Sequence, residues 1–197
     1  SPNPPPGSGV EAYDPLPSVL AAYDLLSQDP NVGDVFAVGH SMGSADTLRL
    51  LAASQSLCGG VLLGASNSAM TEDAESRYLR FHSDRKIEER IPFSLFVTIR
   101  DLFYDQERLA RQVPENQTAI YFVRLENDWQ NIVETRDALF EALPAPKTAW
   151  DLEGSTHYFN SAEAAGILIG DTRVARRFAS WVGELPTCEA ALAELSQ

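Results

Sequence analysis

Gly39-His40-Ser41-Met42-Gly43 is a G-x-S-x-G pentapeptide set between a short apolar run and a helical pattern. A serine hydroxyl is a poor nucleophile until a base takes its proton, so the chemistry this residue offers is covalent acyl transfer. The spacing has a steric reading. A residue forced into a tight strand-to-helix turn needs small neighbours two before and two after it, because side chains there meet the adjacent strand and helix. Such a turn lifts the Ser41 hydroxyl clear of the sheet. It also leaves the following backbone N–H groups, that of Met42 first, at a helix N-terminus, where partial positive charge favours an oxyanion. The plain alternative is a serine that caps the helix beginning at Met42.

The turn needs a strand before it and a helix after it, and both patterns are present. Leu16, Val19, Leu20, Tyr23 and Leu26 recur at helical spacing over Leu16–Ser27, and Asp29-Pro30-Asn31 ends that helix. Asp34 to Gly39 is a short β-branched run of the kind buried on both faces of a parallel sheet. After Gly43 the helical pattern returns through Ala45, Leu48, Leu51 and Ala52, until Cys58-Gly59-Gly60 stops it and Val61 to Gly64 form a second strand. Residues 66–118 are a long charged insertion, with one amphipathic helix expected to carry Leu95, Ile99, Leu102, Phe103 and Leu109 on one face. Strand Ala119–Leu125, helix Ile132–Leu143, strand Thr148–Leu152 and helix Arg173–Val182 follow. Alternation of this kind predicts an α/β fold, a mostly parallel sheet with helices on both faces.

With the pentapeptide in this setting, the chain resembles the α/β-hydrolase family. The resemblance implies an acid in the loop after a later strand and a histidine after the last strand, in that chain order. Strand Ala119–Leu125 runs into Glu126-Asn127-Asp128, and strand Thr148–Leu152 into Glu153-Gly154-Ser155-Thr156-His157-Tyr158-Phe159. The implied triad is Ser41 as nucleophile, His157 as base and Asp128 as its orienting acid, with Glu126 as the rival acid and Met42 N–H as one oxyanion donor. Gly39, His40 and Gly43 form the elbow. Of the other two histidines, His40 is expected to pack beside the elbow and His82 falls in a charged stretch. Trp129 and Tyr158 flank the acid and the histidine and are possible pocket residues. Residues 66–118 stand where the family inserts a lid; aromatics such as Tyr78, Phe81, Phe93, Phe96 and Phe103 either meet an acyl chain or form the buried face of lid helices.

The resemblance reads residues 1–197 as one hydrolase domain that is incomplete at its N-terminus. No HGG sequence, the family's source of a second oxyanion donor, occurs in the chain. The strand before Ser41 is then left with an open apolar edge, and an N-terminal segment or a partner chain is expected to complete the sheet.

Composition removes other classes. A net charge of −13 leaves no basic stripe for nucleic acid, although eight of the 15 basic residues gather in residues 66–118. No apolar run is long enough to span a bilayer, so no stable membrane insertion is expected. Cys58 and Cys188 match no zinc pattern, no metal or organic cofactor is implied, and a single bridge between them stays open. The expected activity is cleavage of an ester or thioester of a small-molecule acyl substrate through an acyl-serine. Peptidase or acyltransferase action on the same triad is the alternative, and a hydrolase-like binding or scaffold protein is the alternative of another class.

Overall fold

The computed structural model describes residues 8–54, 56–71, 73–83, 90–115, 118–128, 133–157 and 172–185. Among these residues the sheet has four parallel strands in sequence order: β1 (Phe36–His40), β2 (Gly59–Leu63), β3 (Ala119–Asn127) and β4 (Lys147–Thr156). Parallel neighbours need crossovers, and each is supplied by helices. Helix α1 (Leu16–Ser27) precedes β1, and α2 (Gly43–Ala53) joins β1 to β2. Between β2 and β3 lie α3 (Ala74–Phe81), α4 (Phe93–Phe103) and α5 (Gln106–Ala110); α6 (Val133–Ala142) joins β3 to β4, and α7 (Thr172–Glu184) follows β4.

Two apolar clusters explain why the sheet is covered on both faces. Leu62, Ile120 and Phe122 point to one side, where they pack with Leu48 and Leu51 of α2, Leu109 of α5 and Leu139 of α6. Val61, Leu63, Tyr121, Val123 and Leu125 point to the other, against Trp181 of α7. Period-two alternation therefore feeds both faces of β2 and β3. The expected α/β architecture is the one observed.

Several expectations change in detail. The run before Ser41 is not buried on both faces: β1 begins only at Phe36 and Val38 is 55% exposed, because β1 is the edge of the described sheet. Helix α1 has the expected bounds, yet only Val19, Leu20 and Tyr23 of its stripe reach the core, while Leu26 is exposed. The single amphipathic helix expected within residues 66–118 is two helices. Asp105 interrupts it by accepting a hydrogen bond from Arg108 N, an N-cap that starts α5 afresh and leaves Leu102 exposed. Leu109, Ala110 and Val113 at the end of that segment belong to the core below the sheet.

Strand β4 runs four residues past its expected end, through Glu153 to Thr156, with a register shift opposite Leu125 and Asn127. Gly154 supplies the positive φ of 69° there, and its N–H donates to Glu126 Oε2 at 2.7 Å. Cys58 is disulfide-bonded, and Cys188 lies outside the described residues. Among the described residues no helix is long and apolar enough to cross a membrane.

Candidate active site

β1 delivers its last residues to a sharp turn. Ser41 has φ 55°, a left-handed conformation that costs a non-glycine residue energy and persists only where its surroundings hold it. The hold is visible on both sides: Ser41 N–H donates to the Leu63 carbonyl of β2 at 2.9 Å, and the Ser41 carbonyl accepts from Ser44 N at 3.1 Å. Gly39 is sterically required, since a Cβ there would sit 2.2 Å from the Gly43 carbonyl oxygen and 2.4 Å from Thr47 Oγ1. Gly43 is not. A Cβ at Gly43 meets nothing described within 4 Å, so the expected need for a small residue on both sides of the serine holds only for the strand side.

Asp128 follows β3 and His157 follows β4, so the parallel order β1-β2-β3-β4 brings three strand ends to one rim of the sheet. There His157 Nδ1 lies 2.7 Å from Asp128 Oδ2, and His157 Nε2 lies 2.9 Å from Ser41 Oγ. A carboxylate only accepts, so Nδ1 carries the proton; Nε2 is then the free lone pair, and the Ser41 hydroxyl donates to it. The Asp128 side chain is fully buried and that of His157 is 4% exposed, which keeps water from competing for the bond between them. The nucleophile, base and acid expected from the sequence thus come together in hydrogen-bonding order. The rival acid, Glu126, points to the β4 bulge and holds Gly154.

Met42 starts the turn into α2, and among the described residues its backbone N–H reaches no acceptor. Trp129 and Tyr158 lie outside the described residues. His40 does pack beside the elbow, with its Nε2 2.7 Å from the backbone oxygen of His157 and its ring 4.8 Å from the His157 ring. Burial pulls the His40 pKa below the ordinary imidazole value, and the neighbouring His157 pulls in the same direction, against the backbone bond and the charge of Asp128. His82 falls in a charged stretch of sequence. It is fully buried among the rings of Tyr78, Phe81 and Phe96, away from the serine's partners. Phe96 and Phe103 are buried faces of α4, whereas Phe81 and Phe93 are exposed.

Two supporting groups had no sequence signal strong enough to single them out. Gly64, with φ 55°, ends β2 beneath the acid–base pair. Its place after an apolar strand is the cue that could have marked it. Gln106, the first residue of α5, donates through Nε2 to the Ser41 carbonyl at 3.3 Å, while its N–H donates to Asn67 Oδ1 at 2.9 Å. Asn67 Nδ2 donates in turn to Asp105 Oδ1 at 3.1 Å. Among the described residues no cluster of His, Cys, Asp and Glu could hold a metal ion. A groove of about 320 Å³ lies between α1 and the β1 edge, lined by Val19, Tyr23, Leu26 and Val38 among others, and it does not include the serine, acid or base.

No protein-family model matches the chain, and no curated protein matches it significantly. Solved structures do. One is that of the metagenome-derived lipolytic enzymes LipS and LipT, with TM-score 0.63 and 16% identity, covering 90% of this chain and 74% of that one. An enol-lactonase from Burkholderia xenovorans gives TM-score 0.55 at 14% identity, covering 92% of this chain and 75% of that one. A monoacylglycerol lipase from Paleococcus ferrophilus gives 0.53 at 18%, covering 89% and 76%. At such identities the likeness is one of fold.

Proposed function

We propose that this chain, which has the α/β-hydrolase fold, is a serine hydrolase that cleaves carboxylic esters or thioesters through an acyl-serine. The observation that carries this reading is the chain of two hydrogen bonds, Ser41 Oγ to His157 Nε2 at 2.9 Å and His157 Nδ1 to Asp128 Oδ2 at 2.7 Å. Those contacts give each group one role. Ser41 Oγ attacks the acyl carbonyl while His157 Nε2 takes its proton. The carbon–oxygen bond of an ester, or the carbon–sulfur bond of a thioester, then breaks, and the imidazolium returns the proton to the departing alkoxide or thiolate. Water deacylates the serine by the same steps in reverse order. Asp128 accepts from Nδ1 throughout, which fixes the tautomer and favours the charged imidazolium. Met42 N–H is the proposed oxyanion donor, and such a donor is typically worth on the order of 10²–10³ in rate.

The lipolytic and lactone-cleaving activities named for the structural neighbours agree with an oxygen ester as substrate. Residues 66–118 are proposed as the lid that shapes the acyl site. We also propose that a further strand, from an N-terminal segment or a partner chain, covers the β1 edge, where Val38 stands exposed beside the open groove. An active monomer made of this chain alone would contradict that completion.

A panel of p-nitrophenyl esters of increasing chain length, run beside aminoacyl amides, tests the function. Ester turnover that disappears in Ser41→Ala supports it. Turnover of amides alone selects the peptidase alternative, and no turnover of any member by a folded, complete protein selects the binding-module alternative.

A further inference from the structure

The residue immediately before the nucleophile reaches across 117 positions of sequence to the backbone of the base. His157 O is a carbonyl and can only accept, so the 2.7 Å contact requires a proton on His40 Nε2. That assignment leaves His40 Nε2 a donor rather than a base. It also closes a ring. His40 is covalently joined to Ser41, His40 Nε2–H holds the His157 main chain, and the His157 imidazole returns to Ser41 Oγ at 2.9 Å.

Resting on the function proposed above, we infer that His40 is a positioning residue, which sets the distance between base and nucleophile by anchoring the His157 backbone to the elbow itself. The bond to Asp128 fixes only the far edge of the imidazole. A shift of the His157 main chain can pivot the imidazole about that contact and carry Nε2 away from Ser41, unless the main chain is also held. His40 supplies that second anchor. Among the described residues, the His157 ring, 4.8 Å away, and the Asp128 carboxylate beyond it face the His40 imidazole. Burial keeps the His40 imidazole neutral at a pH where an exposed one would begin to charge, so the anchor adds no full positive charge beside a base that must itself accept one. Misplacement of reacting atoms by about 1 Å costs up to about 100-fold in rate.

Three variants test the inference. His40→Phe keeps a ring beside His157 and removes the donor, His40→Ala removes both, and His40→Gln places an amide N–H near the position of Nε2. The expected result is a kcat lowered about 10- to 100-fold in His40→Phe and His40→Ala with KM nearly unchanged, and substantial recovery in His40→Gln. Wild-type kcat in His40→Phe would overturn the anchor, as would equal losses in all three variants. A measurement independent of turnover accompanies it: ¹⁵N spectra of histidine-labelled protein at neutral pH should show His40 protonated at Nε2, assigned by its loss in His40→Gln. An Nδ1-protonated His40 overturns the anchor whether or not esters are cleaved. Failure of the hydrolase reading looks different, since the wild-type protein would then turn over no ester, or its ester turnover would survive Ser41→Ala.

Discussion

Gly64 is held against Asp128: a Cβ on Gly64 would lie 3.2 Å from Asp128 Oδ2 and 2.9 Å from Leu125 Cδ1, in a backbone conformation with φ 55°. The end of β2 is therefore shaped around the acid, and the glycine is needed for both its conformation and its lack of a side chain. Gly64→Ala is expected to destabilise the protein by about 1–3 kcal/mol, read by urea unfolding, and to lower ester turnover more than that loss explains. Unchanged kcat in a folded Gly64→Ala protein would show that Asp128 tolerates displacement.

Asp128 and Glu126 compete for one role in the sequence and have separate partners in the structure, His157 and Gly154. Asp128→Asn keeps the shape and removes the charge that selects the Nδ1–H tautomer, so kcat should fall by about 10⁴-fold. Glu126→Gln keeps an acceptor for Gly154 and should remain close to wild type. Steady-state kinetics of the pair decides which acid serves the base.

Asn67 ties two parts of the site together, receiving Gln106 N–H and donating to Asp105. Gln106 is itself buried and holds the Ser41 carbonyl. Asn67→Ala leaves a buried N–H without an acceptor, and about 1–3 kcal/mol of stability should be lost in urea unfolding. Asn67→Asp keeps the acceptor oxygen for Gln106 but faces Asp105 with a second carboxylate, so it should also be destabilising.

Asp46, in the first turn of α2, has its pKa raised to about 6, first by burial and then by the charge of Asp14, against the attraction of Arg49. A carboxylate that is harder to ionise when folded lowers stability once it is charged. Below the ordinary value of 3.8 it is neutral in both states and contributes nothing; between there and about 6 the penalty grows, and above that it is fully present. Asp46→Asn should therefore raise the melting temperature at pH 8 and leave it unchanged near pH 3, as thermal unfolding at the two pH values would show.

The serine turn was legible because its constraint is local: Gly39 cannot carry a side chain against Gly43 and Thr47, and that requirement is written within a few residues. The parallel alternation was legible for a similar reason, since residues such as Phe122 and Val123 must satisfy opposite faces of one strand. What escaped depends on contacts distant in sequence. Nothing in the neighbourhood of Gln106 reveals that it meets Ser41, and nothing near His40 reveals its bond to the His157 backbone. The break between α4 and α5 escaped because an apolar period of three and four continued through Asp105, whose side chain competes with the helix it interrupts. The burial of His82 escaped for the same reason: its neighbours in sequence are charged, while the rings of Tyr78, Phe81 and Phe96 pack against it.

The central claim is that Ser41 is a nucleophile activated by His157 and Asp128. Fluorophosphonate labelling followed by peptide mass spectrometry measures it most directly, because the reagent traps the activated serine before any question of substrate arises. The account predicts a single phosphonylated site at Ser41, labelling abolished in Ser41→Ala and slowed by orders of magnitude in Asp128→Asn. Undiminished labelling in Ser41→Ala, or a folded, ester-cleaving protein whose Ser41 never takes the label, would contradict it.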